Sequence, residues 1–371
     1  KQSQMSSERN VLRNHRIKVA LINQNGDVFK VKDVYIEKQK NTSFILEDPD
    51  RIPAALILNY EGYGYVNSVI DPSSLNFLIE NIAKIKDKKL LFLIFTVLYK
   101  MTAQGKFSAL RLINIITTFL AQRKKNMDAI LLQKLIWISK QTTEELVPKA
   151  NQIALKSKLY QTLMDYTKSE IPLALKPLVV NSLSLFAEKD EDGNQLFAFF
   201  NDYLAEEDNY EKMSLAGIYE LFKKLYIVTK REEFYNKFLA LPEIHANDQV
   251  AQYYKTQFKA LITPKFEEIR EKYNQDSISP LLVASIEGAR LGCEDYMIDK
   301  WFEIVEMIIL DNQDFDVKLL HNLLPKTDKL DYLMEKVSAL KKTGTKDAFV
   351  ENWIQYKLNE LKMKKGSFTN L

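Results

Sequence analysis

Cysteine and histidine are scarce in this chain of 371 residues, which has one cysteine, Cys293, and three histidines, His15, His245 and His321. A single cysteine excludes a disulfide within the chain and favours a reducing compartment, so we expect a cytoplasmic location. None of the histidines lies four residues from another, and the sequence therefore holds no His-Glu-x-x-His zinc motif. We predict no metal at any of the three histidines and no cofactor in this chain.

Glycine and proline are also scarce, with ten of each. An all-β fold would use more of both in its turns, so helices should dominate. The longest apolar run, residues 90–99, is shorter than the roughly 18 residues that a bilayer-spanning helix needs, and the polar N-terminus shows no signal peptide. Lys and Arg number 52 against 49 Asp and Glu, a net charge of +3 that is too balanced to indicate a nucleic-acid partner.

Alternating apolar residues predict a small antiparallel sheet at the start of the chain. The strands are expected at residues 15–22, 29–36, 42–46, 53–58 and 63–70, with a bulge or break near residues 32–33, where the alternation shifts phase. Asn25 and Gly26 supply the positive φ angles of a tight hairpin turn. Five short strands are too few for a self-sufficient sandwich, so we expect another layer or another chain to cover the sheet edge.

Asp71 and Pro72 open the helical region, because Asp can cap a first turn and Pro is tolerated at its first position. From there to Leu361 the apolar spacing predicts about fourteen to sixteen helices, for example at residues 73–85, 88–103, 108–122, 127–140, 152–166, 177–187, 215–228, 278–291, 295–309 and 346–361. Breaks are expected at Gly105, Pro148, Pro172, Gly193, Pro242, Pro264, Gly292, Pro325 and Gly344.

The helices pair at intervals of roughly 30 to 45 residues without a consensus, which is typical of an irregular α-solenoid of the armadillo or HEAT type. The sequence thus predicts a mainly α protein with two domains. Residues 1–71 form a partial β-sandwich domain, and residues 72–371 form a helical C-terminal domain.

Two local patterns imitate ligand-binding motifs. Residues 62–64, Gly-Tyr-Gly, match half of a dinucleotide fingerprint, but Asn67 replaces the third glycine and a strand is predicted to follow. The acidic runs at residues 190–193 and 205–209 resemble calcium loops, but neither continues to the glutamate at the twelfth position of an EF-hand. We interpret the glycines as relief in a turn and both acidic runs as solvated turns.

Cys293 and His321 could be proposed as nucleophile and base, but a lone cysteine and a lone histidine on separate helices are usually packing residues. His321 stands beside four leucines, which favours a site in or near the core. His245 is predicted in a loop or at a helix start. The aromatic residues recur at helical spacing, as in Tyr219 to Tyr226, and this is typical of a core rather than of a base-stacking surface.

The segment from Asn59 to Asp71 joins the two predicted domains and reads Asn-Tyr-Glu-Gly-Tyr-Gly-Tyr-Val-Asn-Ser-Val-Ile-Asp. Its pattern resembles the junction between the small β-sandwich and the helical C-terminal domain of aminopeptidase N-type zinc metallopeptidases. The residues that carry the resemblance are Asn59, Gly62, Tyr63, Tyr65 and Asp71. That family usually has an Arg after the second Tyr, whereas this chain has Val66, so the role of that Arg does not transfer.

The resemblance covers residues 15–361 and implies a non-catalytic C-terminal region. In the family, this region caps the zinc-containing catalytic domain and limits access to peptide substrates, from which the enzyme removes N-terminal residues. Zinc would then belong to the parent enzyme, and the family's substrate-amine motif Gly-x-Met-Glu-Asn is also absent here. In the family, polar and basic side chains of the helical domain face the substrate. The candidates here, which no motif supports individually, are the tyrosines and Arg111, Arg231, Arg270 and Arg290.

Two alternatives share the helical architecture. One is a catalytically inactive relative that serves as a helical-repeat scaffold subunit of a larger assembly. The other is an independent helical-repeat adaptor in which the junction motif arose by chance. The presence or absence of zinc ligands on the parent polypeptide separates the enzyme from the scaffold.

Overall fold

The computed structural model describes residues 12–45, 52–62, 64, 66–123, 127–168, 175–205, 214–245, 248–275, 279–310, 323–325, 327, 329–340 and 348–369. Within these ranges the chain is mostly helical, with a small antiparallel sheet at its N-terminal end. The prediction of a mainly α fold that begins with a β layer is confirmed at this level.

Three strands form the sheet, in the order β2, β1, β3. They are β1 (His15–Ile22), β2 (Val28–Ile36) and β3 (Ala55–Leu58). Asn23 organises the predicted hairpin turn, because its Oδ1 accepts the amide N–H groups of Asn25 and Asp27 at 2.9 and 3.0 Å. Gly26 has a φ of 83°, the left-handed conformation that favours glycine.

The predicted bulge near residues 32–33 is wrong in position. Leu21 pairs with Lys30 and Ile22 pairs with Val28, so the extra residue of β2 is Phe29, beside the hairpin. Beyond it β2 continues without a break, with Val34 buried in the sheet core and Val31 43% exposed on the opposite face. The shift in the alternation of apolar residues therefore arises because Val31 is apolar although it lies on the exposed face of β2.

The predicted strands at residues 42–46 and 63–70 are also wrong where the structure describes them. Residues 42–45 have no regular structure, and the Nζ atom of Lys32 donates to the carbonyl oxygen of Ile45 at 2.6 Å. Phe44 still packs against the small core of β1 and β2, so its apolar character serves packing without strand pairing. Leu46, Tyr63 and Tyr65 lie outside the described residues, which contain a single sheet.

The chain divides into two compact units, and each is described by itself. The first comprises Lys1–Val147, Gln161–Lys176 and Thr369–Leu371. It holds the sheet, α1 (Pro72–Asn81), α2 (Lys88–Ala103), α3 (Ala109–Gln122), α4 (Ala129–Glu145) and the second part of α5 (Lys149–Thr167). The change from strands to helices lies at residues 71–72, inside this unit.

The second unit comprises Pro148–Tyr160 and Pro177–Phe368. After the first part of α5 it contains α6 (Lys176–Phe186), α7 (Asp190–Ala205), α8 (Leu215–Thr229), α9 (Glu233–Leu239), α10 (Pro242–His245), α11 (Gln249–Ile262), α12 (Phe266–Gln275), α13 (Pro280–Leu291), α14 (Ile298–Leu310), α15 (Leu330–Ala339) and α16 (Ala348–Thr369). Sixteen α-helices in the described ranges agree with the predicted number.

The helix starts follow local capping chemistry. The side chains of the capping residues accept first-turn amide hydrogens at the starts of α1, α2, α3, α4, α8, α11 and α13, and these residues are Asp71, Asp87, Ser108, Asp128, Ser214, Asp248 and Ser279. Such caps satisfy backbone donors that the helix itself leaves unpaired. This local chemistry explains why the predicted starts of α1, α2, α3, α4, α8 and α13 lie close to the observed ones; no start was predicted for α11.

The acidic run at residues 190–193 is the first turn of α7, so its interpretation as a solvated turn and the break at Gly193 are wrong. Asp192 Oδ2 accepts the amide N–H groups of Glu188 and Lys189 at 3.0 Å each. Gly193 lies inside α7, where a Cβ atom would approach Cγ2 of Thr229 on α8 to 2.7 Å. Packing between helices therefore outweighs the low helix propensity of glycine.

The remaining break positions have separate outcomes. Gly105, Pro148, Pro264 and Gly292 lie between helices as predicted, and Pro242 begins the short helix α10. Pro325 lies in the described non-helical residues before α15. Pro172, Gly344 and residues 206–209 of the second acidic run lie outside the described residues.

The predicted aromatic core of the second unit is confirmed. Phe258 packs against Tyr219 and Phe238 with ring centroids 6.0 and 5.5 Å apart, and Phe238 packs in turn against Phe222. All four rings are buried. Further along the chain, the buried indole of Trp301 donates to the carbonyl oxygen of Leu323 at 2.7 Å.

Candidate functional site

Asn59 closes the loop between β3 and the first helix. Its φ is 58°, in the left-handed region, and its side chain is buried. Oδ1 accepts the amide N–H of Gly64 at 2.6 Å, and Nδ2 donates to the carbonyl oxygen of the same residue at 2.7 Å. Asparagine tolerates this backbone conformation better than most residues, so one residue supplies both the bend and the clamp.

The two described glycines of the junction meet different requirements. Gly62 has a φ of 66° and open space where a Cβ would lie, so its backbone conformation is what requires glycine. Gly64 lies so close to β1 that a Cβ would approach Cγ2 of Ile17 to 3.0 Å and the carbonyl oxygen of Arg16 to 3.2 Å. Both glycines thus shape a turn, which agrees with the interpretation of residues 62–64 as turn relief.

Asp71 connects the end of the junction to the sheet. Its Oδ1 accepts the amide N–H of Ser74 at 3.0 Å and thereby caps α1. The Oγ of Ser74 accepts the amide N–H of Leu56 in β3 at 2.9 Å. The first helical turn is therefore hydrogen-bonded to an edge strand. Tyr63 and Tyr65, the other two motif residues, lie outside the described residues.

The sequence analysis missed a second pair of residues that fixes the junction. The hydroxyl of Tyr60 donates to Oδ2 of Asp87 at 2.6 Å, while Oδ1 of Asp87 caps α2. Burial, together with the carboxylate of Asp87, raises the pKa of Tyr60 to about 12. The sequence analysis named neither residue, because a partner 27 residues away leaves no local signal.

Glu61 adds an exposed ionic contact to the junction. Its carboxylate lies 2.5 Å from Nζ of Lys18 on β1 and 3.9 Å from Nζ of Lys89 on α2. The hydrogen bond from Lys18 lowers the pKa of Glu61. Because the carboxylate is exposed, solvent screens these interactions and they contribute little to stability. We therefore infer that the ion pairs of Glu61 mainly orient the loop.

The described histidines and the cysteine lie in separate segments of the chain. His15 begins β1, and His245 ends α10 with an exposed side chain, whereas His321 lies outside the described residues. Burial and the nearby Asp295 raise the pKa of Cys293 to about 11, so its thiol stays protonated near neutral pH. Among the described residues, no group of three His, Cys, Asp or Glu side chains is arranged to hold a metal ion.

The four candidate arginines have separate local surroundings. Arg231 donates to both carboxylate oxygens of Asp190 at 2.8 and 2.7 Å, and Arg270 lies 3.6 Å from a carboxylate oxygen of Glu303. The guanidinium carbon of Arg111 lies 5.6 Å from the centroid of the Phe107 ring, and Arg290 is half-buried on α13. Each of these four arginines therefore has different neighbours among the described residues.

An exposed group of aromatic and basic side chains on α2 and α4 was not predicted. Lys134 Nζ lies 4.3 Å from the ring centroid of Trp137 and 5.4 Å from that of Phe92. Tyr99 packs edge-to-face on Trp137 with centroids 5.1 Å apart. We name the set Phe92, Tyr99, Lys100, Ile130, Lys134 and Trp137 the aromatic–lysine surface. The helical spacing of these apolar residues is visible in the sequence. Such spacing by itself predicts a buried helix face, so it did not indicate an exposed surface.

A polar cluster inside the second unit was also missed. Tyr253 and Gln257 of α11 both donate to Oε2 of Glu287 on α13, the latter at 2.8 Å. Tyr219 of α8 stacks on Tyr254 with centroids 4.5 Å apart. The Tyr219 hydroxyl is buried and has no hydrogen-bond partner among the described residues. Burial, together with nearby carboxylates, raises the pKa of Tyr219.

No protein-family model matches the chain, and no curated protein is significantly similar to it. None of the helices in the described ranges combines the length and the hydropathy that crossing a bilayer requires.

Proposed function

We propose that the chain is the non-catalytic C-terminal region of an aminopeptidase N-like zinc metallopeptidase. It would cap the catalytic domain and limit access to the active site to peptides. The enzyme would then remove the N-terminal residue of each peptide. The observation that carries the proposal is the junction itself, where the Asn59 clamp and the Asp71 cap lead from a small sheet into helices within thirteen residues.

The zinc chemistry is assigned to another part of the parent polypeptide. The described residues supply no set of zinc ligands, and neither the junction nor the polar cluster of α11 and α13 contains a histidine. The proposed contribution of this chain is to enclose a chamber that admits peptides and excludes folded proteins. A cytoplasmic location for the parent is part of the proposal.

The sheet offers a place for the catalytic portion to bind. β2 is an edge strand, and two of its outward-facing side chains are large and exposed, Val31 at 43% and Tyr35 at 57%. An exposed edge with apolar side chains favours strand addition or coverage by another layer. We propose that the N-terminal catalytic portion of the parent covers this face.

The test uses the complete polypeptide that contains this chain. Its zinc content is measured by mass spectrometry, and its activity is measured with fluorogenic aminoacyl amides and with short peptides. We expect one zinc ion per polypeptide, release of N-terminal residues, and neither zinc nor activity in the 371-residue chain alone. Stoichiometric zinc with aminopeptidase activity in this chain alone would overturn the assignment.

The alternative function is a catalytically inactive scaffold subunit, and the aromatic–lysine surface favours it. Exposed tryptophan and phenylalanine side chains are enriched where proteins bind one another. In that case the complete polypeptide would contain no His-Glu-x-x-His and no zinc, and it would purify from cells as part of a stable assembly. A zinc-containing monomer that hydrolyses aminoacyl amides excludes this alternative.

A further inference from the structure

The aromatic–lysine surface is built from two exposed helical stripes. Phe92 and Tyr99 lie seven residues apart on α2, and Ile130, Lys134 and Trp137 are spaced at i, i+4 and i+7 on α4. The ring contact between Tyr99 and Trp137 and the position of Lys134 between two rings join the stripes. Phe92, Trp137 and Ile130 are 38%, 43% and 68% exposed.

Among the described residues, the cations of this surface have no acidic partners. Neither Lys100 nor Lys134 forms an ion pair with a carboxylate there, whereas Lys18, Lys88 and Lys89 of the first unit each do. Instead, burial of the Lys134 stem and the charge of Lys100 lower the pKa of Lys134. Burial raises the pKa of the Tyr99 hydroxyl, and the negative charge of Glu145 raises it further.

We propose that the aromatic–lysine surface binds an amphipathic acidic segment of a partner protein. Apolar side chains of that segment would pack on Phe92, Ile130 and Trp137, and its Asp or Glu carboxylates would pair with Lys100 and Lys134. Charge complementarity is the argument for an acidic partner. A carboxylate would reduce the electrostatic repulsion between the two lysines, which lie among the same apolar side chains. The inference concerns a surface separate from the junction and does not depend on the enzyme assignment.

Trp137 makes the proposal directly measurable. The other two tryptophans, Trp301 and Trp353, are buried, so the quenching of tryptophan emission by acrylamide reports mainly on Trp137. The probe is a synthetic peptide of twelve residues with Leu and Phe on one helical face and Glu beside them. We expect it to shift the emission to shorter wavelength and to protect Trp137 from the quencher.

Two lysine variants supply the matched comparison. Lys134→Glu should weaken binding of the acidic peptide by about tenfold or more, because it replaces attraction by repulsion at the centre of the surface. Lys40→Glu makes the same change of charge in the exposed loop after β2 and should alter affinity by less than about twofold. Circular dichroism spectra of both variants establish that the fold is retained.

Four results would overturn the proposal. The first is equal or tighter binding of a peptide in which Lys replaces every Glu. The second is no binding of the acidic peptide at about 1 mM. The third is Lys134-dependent binding to vesicles of anionic phospholipid, which would assign the surface to a membrane. The fourth is a dimer in sedimentation velocity that Trp137→Ser dissociates, which would assign the surface to a second copy of the chain.

Discussion

Gly288 brings α13 against the backbone of α11, because a Cβ atom at this position would overlap the carbonyl oxygen of Gln257. One helical turn later, a Cβ atom at Gly292 would lie 2.5 Å from the carbonyl oxygen of Leu261. A spacing of four residues puts the two glycines on the same side of the chain, facing α11. The close contact of the two helices therefore depends on the absence of side chains at both positions.

Gly288→Ala should destabilise the second unit by about 3 kcal/mol, because the methyl group cannot fit without separating the helices. The sign of the change in the free energy of unfolding is informative, because Gly→Ala at an unhindered helical position stabilises a protein by about 0.5–1 kcal/mol. Urea unfolding followed by circular dichroism measures the effect. Ser285→Ala, in the same helix, is the control and should change the free energy of unfolding by less than about 0.5 kcal/mol. A more stable Gly288→Ala variant would contradict the close helix contact.

Asn59 is predicted to stabilise the junction in two separable ways. Asn59→Ala loses both hydrogen bonds to Gly64 and places alanine at a φ of 58°, so it should cost about 3 kcal/mol. Asn59→Gly loses only the hydrogen bonds and should cost about 1 kcal/mol less than alanine.

Hydrogen exchange of the β1 and β3 amides measures the Asn59 effect locally. Both variants should accelerate exchange there, alanine more than glycine. Equal protection in the wild type and in both variants would show that the side chain does not hold the loop to the sheet.

Local chemistry explains how far the sequence predicted the fold. The strand His15–Ile22 and the helix Lys88–Ala103 were predicted to the residue, because alternation and helical spacing are both readable within one segment. Gly193 was misread as a break because its role depends on Thr229, on another helix. Contacts of this kind are fixed by packing and leave no local signal.

The same limit applies to the candidate sites. Gly62 and Asp71 were singled out in the sequence because turns and caps use characteristic residue types, whereas Asn59 was singled out only by the family resemblance. The aromatic–lysine surface was not, because the spacing of Phe92 and Trp137 is the spacing of core residues. Whether such a face is covered depends on which helices pack beside it, and that is a property of the whole unit.

Glu188 is predicted to make the second unit sensitive to acid. Its carboxylate, between α6 and α7, lies 2.8 Å from Nζ of Lys156 and 3.0 Å from Nζ of Lys224. Burial opposes ionisation, but the two ammonium groups outweigh it and lower the pKa of Glu188 below its usual 4.5. A lowered folded-state pKa contributes stability above the unfolded-state value, and this contribution is lost as the pH falls through the folded-state value.

Glu188→Gln should therefore cost about 3 kcal/mol at pH 7, because two largely buried lysines lose their counter-charge. The difference from the wild type should shrink as the pH falls below about 4.5. Urea unfolding of both proteins at several pH values between 3 and 7 measures this difference in the free energy of unfolding. Glu191→Gln, at an exposed position of α7, should stay within about 0.5 kcal/mol throughout. A Glu188→Gln difference that is constant with pH would refute the role of the carboxylate charge.

Two equally buried tyrosines of the second unit should respond oppositely to loss of the hydroxyl. Tyr160 donates to the carbonyl oxygen of Asp192 at 3.0 Å, whereas the hydroxyl of Tyr219 has no partner among the described residues. A buried hydroxyl without a hydrogen bond costs free energy, and a bonded one contributes about 1 kcal/mol. Tyr219→Phe should therefore raise the free energy of unfolding by about 1 kcal/mol, and Tyr160→Phe should lower it by a similar amount. Thermal unfolding of the two variants measures both signs, and a destabilised Tyr219→Phe would show that the hydroxyl is bonded in the folded protein.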